Sequence, residues 1–234
     1  MAGQAEGRSR YVALSSSSFR TSGAGIEWVL TDAIVDTAKP RIIEDRDVIL
    51  KVTGSTVCGS DLHLLHGMGA TRTSTMVSRI NLSTGVIIQL KKGDILGHEF
   101  CGIVDQIGLG VKKIRVGKRY VAAFQITCGE VRSDKHCPLF ATCLFTTNIR
   151  RQCFYCKQKL TSQCEKTNSN TTAKAMYGAQ SGAFFGYSHF TGGFAGGQAE
   201  YVRVPIGDAN LLEIPDDVPD EKGMFVSRLF QCHL

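Results

Sequence analysis

The chain has 234 residues, 43% of them hydrophobic, which is enough for one large domain or two small ones with a buried core. Its formal charge of +6 is spread along the sequence, apart from pairs such as Lys112-Lys113 and Arg150-Arg151, with no basic stripe or nucleic-acid motif, so nucleic acid is not an expected partner. No apolar run is long enough to span a bilayer and no apolar segment of a secretory signal opens the chain, which predicts a cytoplasmic protein with no membrane partner.

Residues 1–32 are rich in Ser, Gly and Arg, with Glu6 the only acid before Glu27, and read as a disordered leader; the same composition also suits a transit peptide. From residue 33 to 225 the pattern is that of a β-rich domain. A β-branched run over 47–53 reads as a strand, and Val57-Cys58-Gly59-Ser60-Asp61 follows it with a thiol among small and polar residues. Gly97-His98-Glu99 precedes an apolar strand from Ile103, which ends in the turn Gly108-Leu109-Gly110, and a second apolar run covers 111–116. Further strands are predicted over 120–126, over 199–204, where apolar and polar residues alternate, and over 211–214. Short strands, 25 glycines and no long amphipathic helix predict a mainly β, barrel-like fold. Residues 226–234 read as an aberrant tail.

Two segments, 68–85 and 131–152, show neither strand alternation nor helical period, and structureless stretches of that length are uncommon inside compact domains. Each separates residues that belong together. The second divides Cys128-Gly129-Glu130 from Cys153-Phe154-Tyr155-Cys156, with Cys164 just beyond. With 131–152 removed, Cys128, Cys153, Cys156 and Cys164 acquire the close spacing of a structural zinc site. Cys137 and Cys143, inside the insertion, are competing ligands. Clustered cysteines in a chain without a secretory signal point to metal rather than disulfides. Cys58, His98 and Glu99 supply the thiolate, imidazole and carboxylate that zinc takes as ligands.

With both donor groups in hand, the chain resembles the zinc-dependent alcohol dehydrogenases of the medium-chain dehydrogenase/reductase family, and within it the glutathione-independent formaldehyde dehydrogenase-like branch. VCGSDLHLLHG at 57–67, KKGDILGHEFCGIVDQIGLGV at 91–111, the four-cysteine lobe, GAFFGYSHFTGGFAGGQAEYVRVP at 182–205 and LLEIPDDVPDEKG at 211–223 carry the resemblance. It implies a GroES-like β-barrel holding a catalytic and a structural zinc, and a separate Rossmann domain holding NAD. It further implies Cys58 and His98 as catalytic zinc ligands and Glu99 as an exchanging or outer ligand. Ser60 and His63 then form a proton relay, Asp61 orients a ligand, and the reaction is hydride transfer between a small alcohol or aldehyde and NAD(P). Full-length relatives of this kind often form homo-oligomers.

The chain departs from that pattern at two places. Where the branch has an acidic third ligand after a serine, Ser227 is followed by Arg228, whose guanidinium repels a metal ion. No Gly-x-Gly-x-x-Gly opens a helix after a strand, so the NAD domain is expected to be absent and the chain to be a truncated, inactive form, or else a non-catalytic zinc-binding module. Both insertions can be translated from retained introns, because Val131 has codons beginning GT and Gln152 can be encoded CAG, and 68–85 permits the same edges. Genomic and transcript reads across both segments are expected to carry GT and AG at these edges; reads lacking them would sink this account.

Overall fold

The computed structural model describes residues 8–15, 19–22, 25–28, 31–62, 64, 79–81, 86–88, 90, 93–129 and 153–229. Its strands, in chain order, are β1 (Arg8–Ser15), β2 (Phe19–Ser22), β3 (Gly25–Trp28), β4 (Thr31–Ala38), β5 (Val48–Ser55), β6 (Arg79–Asn81), β7 (Val86–Ile88), β8 (Phe100–Ile107), β9 (Arg119–Ala122), β10 (Gln125–Ile126), β11 (Ala183–Phe184), β12 (Tyr201–Val204) and β13 (Leu211–Glu213). The largest sheet among the described residues has five strands in the order β12-β5-β8-β9-β13, with antiparallel pairing at every step. The fold is mainly β, as the short strands and turn glycines predict.

Strand alternation divides the sheet into two apolar faces. On one side Val48 and Leu50 of β5, Phe100 and Val104 of β8, Tyr120 of β9 and Val202 and Val204 of β12 pack with Phe185 into the main core. On the other, Cys101 and Val121 meet Ile214, Val218, Met224 and Val226. The last two belong to the helix Asp220–Leu229. Each fully buried Val, Leu or Phe on these faces contributes about 1.5–3 kcal/mol of transfer free energy.

Polar groups fix where β5 begins. The buried Asp47 carboxylate accepts from Ile43 N and Glu44 N at 3.0 and 2.9 Å, and it pairs with Arg203 of β12 at 2.9 Å. At the crossing of β5 and β8, Gly102 lies so close to its neighbour that a Cβ would stand 2.4 Å from Lys51 O.

Several elements differ from the sequence reading. In the apolar run 111–116, Lys112 N and Lys113 N donate to the Asp208 carboxylate at 2.9 and 2.8 Å, a tie the sequence did not announce. The strand expected over 120–126 is two, β9 and β10, separated where Ala123 N turns to Asn210 O at 3.0 Å. The ten-residue helix Asp220–Leu229 was not legible, since Gly223 and Ser227 lower its intrinsic propensity and packing on the sheet holds it. Within the span read as a leader, β1 pairs with β4, and the Arg10 guanidinium ties β1 to Glu200 through an ion pair. Inside 68–85, β6 pairs with β7 at the segment's edge, while all of 131–152, with Cys137 and Cys143, lies outside the described residues.

Replacing Gly102 with Ala is expected to destabilise the fold by about 1–3 kcal/mol, because the added methyl meets backbone rather than a movable side chain. Urea unfolding of the two proteins side by side measures this.

Candidate functional site

The pairing of β5 with β8 ends at Ser55 opposite Phe100, so the segments 56–58 and 97–99 leave the sheet at the same end. Thr56 N donates to Glu99 O at 3.1 Å and continues the ladder one step past the strands. Gly97 has φ of 92°, and a Cβ there would meet Gln198 at 2.7 Å, which is why a glycine directs the chain into His98. A helical turn over 59–62 then carries Ser60 and Asp61 back over the gap.

These backbones bring Cys58 Sγ, an His98 ring nitrogen and a Glu99 carboxylate oxygen within 4.8 Å of one another. Asp61 is buried and accepts from Cys58 N at 2.8 Å through Oδ2. Its Oδ1 faces His98 Nδ1 at 3.3 Å, out of hydrogen-bond alignment. The other ring nitrogen, Nε2, lies 3.4 Å from Ser60 Oγ and 3.8 Å from Glu99 Oε1. Thr56 Oγ1 donates to Glu99 Oε2 at 2.7 Å and leaves Oε1 toward His98. Phe124 and Tyr187 meet the imidazole edge-on, with ring centroids 6.1 and 5.7 Å away.

Hydrogen bonds from the Ser60 side chain and backbone hold the Cys58 thiol below the ordinary cysteine value, with His98 helping and burial opposing. Burial pulls the His98 imidazole down, but the Asp61 carboxylate facing it, together with Cys58, leaves it above the ordinary histidine value. The site therefore gathers anionic donors around one imidazole in a largely dry setting, an arrangement that a divalent cation balances.

The second cluster is built from the segment after β10 and from a small lobe. Cys153 and Cys156 flank the first turn of the helix Phe154–Lys157, a spacing that puts both thiols on one side. Cys164 follows the 3₁₀ turn Thr161–Gln163, and Cys128 lies just past β10. The four Sγ atoms are buried and lie within 4.8 Å of one another, with Cys128 to Cys156 at 3.7 Å and Cys153 to Cys164 at 3.9 Å. All four are free thiols. Hydrogen bonds from Cys128 and Cys156 hold Cys164 far below the ordinary thiol value. Cys156 is pushed up to about 11, because the lowering effect of Cys128 is outweighed by Cys164 and burial. Four free thiols buried this close together suit a positive ion.

Residues 44–216 match the family described as alcohol dehydrogenase GroES-like domain. The chain belongs to that family. Among its GroES-like relatives, an uncharacterized zinc-type alcohol dehydrogenase-like protein of Bacillus subtilis is 36% identical over 81% of this chain and 38% of its own length. A glutathione-independent formaldehyde dehydrogenase of Pseudomonas aeruginosa is 31% identical over 74% of this chain and 30% of its own. An alcohol dehydrogenase structure from Thermus sp. ATN1 superposes with a TM-score of 0.59 at 25% identity, covering 94% of this chain and 44% of that one. The chain thus spans less than half the length of the curated relatives it matches. The GroES-like assignment bears out the family and fold expected from the motifs, and the chain is alcohol dehydrogenase-like.

Cys58, Ser60, His98 and Glu99 come together at one end of the sheet, and Cys128, Cys153, Cys156 and Cys164 in the lobe. His63 lies outside the described residues. Ser227 is fully buried and donates to Ala122 O at 2.6 Å, and the Arg228 side chain is outside the described residues. Thr56, Phe124 and Tyr187 were not anticipated from the sequence, since no spacing rule links them to Glu99 or His98. Truncating Asp61 to Ala is expected to cost about 1–3 kcal/mol in chemical unfolding, because it strands the Cys58 N–H and the ring facing it.

Proposed function

We propose that this chain is the zinc-holding domain of an oxidoreductase that moves hydride between a small alcohol or aldehyde and a nicotinamide cofactor, NAD or NADP. The convergence of Cys58, His98 and Glu99 on one point at the end of β5 and β8 carries the reading. A thiolate, an imidazole and a carboxylate suit zinc better than the harder cations, which favour all-oxygen sites. Zinc held there supplies Lewis acidity toward the substrate oxygen. The four thiols of Cys128, Cys153, Cys156 and Cys164 suit a second, structural zinc.

The chain's own residues have distinct parts in this reading. Asp61 faces His98 Nδ1 and so leaves Nε2 for the metal. Thr56 holds one Glu99 oxygen, which leaves the other as the donor. Ser60 Oγ, beside the same Nε2, receives the substrate hydroxyl proton, and His63 passes it outward. Phe184, stacked edge-on against Phe124 and Tyr187 at 5.5 Å each, extends an aromatic wall beside His98 that suits a small carbon skeleton.

In the same reading 33–225 is the working domain, 1–32 and 226–234 are a leader and a tail, and 68–85 and 131–152 are insertions. No helix of the described residues is long and apolar enough to cross a membrane, and we infer a cytoplasmic protein, with self-association a property of its longer relatives. For this chain alone we infer a form without turnover, because Arg228 follows Ser227 where the branch carries an acidic ligand. A zinc-binding module without catalysis is the alternative.

Metal analysis of the purified chain should find one zinc for each cluster, two in all, and Cys58→Ala should remove one while Cys153→Ala removes the other. Alcohol-dependent NADH formation by the chain would establish an active enzyme and defeat the inference of inactivity. Zinc in the cysteine lobe alone would favour the module, and none in either would defeat the metal reading.

A further inference from the structure

We propose that Thr127 is a positioning residue of the four-cysteine lobe, whose hydroxyl donates to Cys156 Sγ and whose place is fixed by Asn210. The proposal rests on the reading of that lobe as a cation site.

Thr127 is buried at 3% exposure, and its Oγ1 lies 3.1 Å from Cys156 Sγ. A hydroxyl has one proton to give. Gly129 N donates to the same oxygen at 3.5 Å, so the hydroxyl already serves as an acceptor and has its proton available for the sulfur. The hydroxyl cannot easily turn elsewhere, because the Thr127 backbone is clamped on both sides by one side chain. Asn210 Oδ1 accepts from Thr127 N at 2.8 Å and Asn210 Nδ2 donates to Thr127 O at 3.0 Å. Asn210 is itself fully buried and also donates to Pro205 O at 2.9 Å. This amide replaces the strand partner that the chain loses beyond β10.

The position next in sequence works in the same direction, since Cys128 N donates to Cys164 Sγ at 3.3 Å. Arg46 Nη2 reaches Cys128 O at 3.4 Å on the outer side. Four thiolates around a divalent ion leave about two units of negative charge. Hydrogen-bond donors aimed at sulfur draw on that charge, and in a dry site they act strongly. Loss of the hydroxyl leaves Cys156 without its O–H donor while the shape of the lobe is kept.

The test uses the full chain in a Cys58→Ala background, so that thiolate absorption reports the lobe alone. The chain is loaded with Co²⁺ and read by its thiolate-to-cobalt charge-transfer bands and by the rate of cobalt transfer to EDTA. Thr127→Val, of equal shape, should release cobalt roughly tenfold to a hundredfold faster and move the bands to lower energy. Thr127→Ser, which restores the donor, should return both to the parent values. If the valine variant does not fold, as judged by far-ultraviolet circular dichroism, Thr127→Ala gives the same comparison without an added methyl. Parent-like release and bands in the valine or alanine variant would overturn the proposal. A parent without thiolate-to-cobalt bands would instead overturn the cation reading of the lobe, and the role of Thr127 with it.

Discussion

The antiparallel ladder between β5 and β8 is the interaction on which the rest of the molecule depends. It runs from Val48 opposite Ile107 to Ser55 opposite Phe100, with register shifts near Leu50 and Gly54. The bulges turn the end of the ladder, and the two segments emerging from it are the ones that carry Cys58 and His98. A slip of one residue would send Val48, Leu50, Phe100 and Val104 out of the main core. The packing that stabilises the sheet thus also sets the distance between the donors.

The two thiol-bearing clusters meet the cost of gathered negative charge in different ways. At the sheet end, a carboxylate and a thiol stand beside an imidazole whose far nitrogen is backed by Asp61. In the lobe four thiols stand together, and Cys128 N and the Thr127 hydroxyl lie within hydrogen-bond reach of two of the sulfurs. The first arrangement leaves a donor oxygen of Glu99 and the Ser60 hydroxyl on the approach to the ring. The second gathers four buried thiols. One is suited to exchange of what it holds, the other to permanence.

Much of this was legible in the sequence because it is local. Cys58 with Ser60 and Asp61, Gly97 with His98 and Glu99, and Cys153 with Cys156 each lie on a few consecutive residues whose spacing fixes their relative placement. Strand alternation over β5 and β12 was equally plain. What was not legible is carried by bonds between distant residues. Asn210 holds Thr127 from 83 residues away, and Asp208 captures the backbone of Lys112 from 96 away. Thr56 had no marker, since its hydroxyl gains meaning only when Glu99 is brought across the sheet. Phe124 falls between two short strands because Ala123 bonds to Asn210, and this break frees its ring to meet His98.

That break gives the span 124–128 a double duty. Its first side chain rests on the imidazole of one donor group, and its last supplies a thiol to the other. Between them, Ile126 is buried in the main core and Thr127 is held at both backbone atoms. So short and so firmly anchored a strip behaves as a strut. The lobe and His98 are thus joined by one short strip of chain, so a shift of the lobe would reach the imidazole through it.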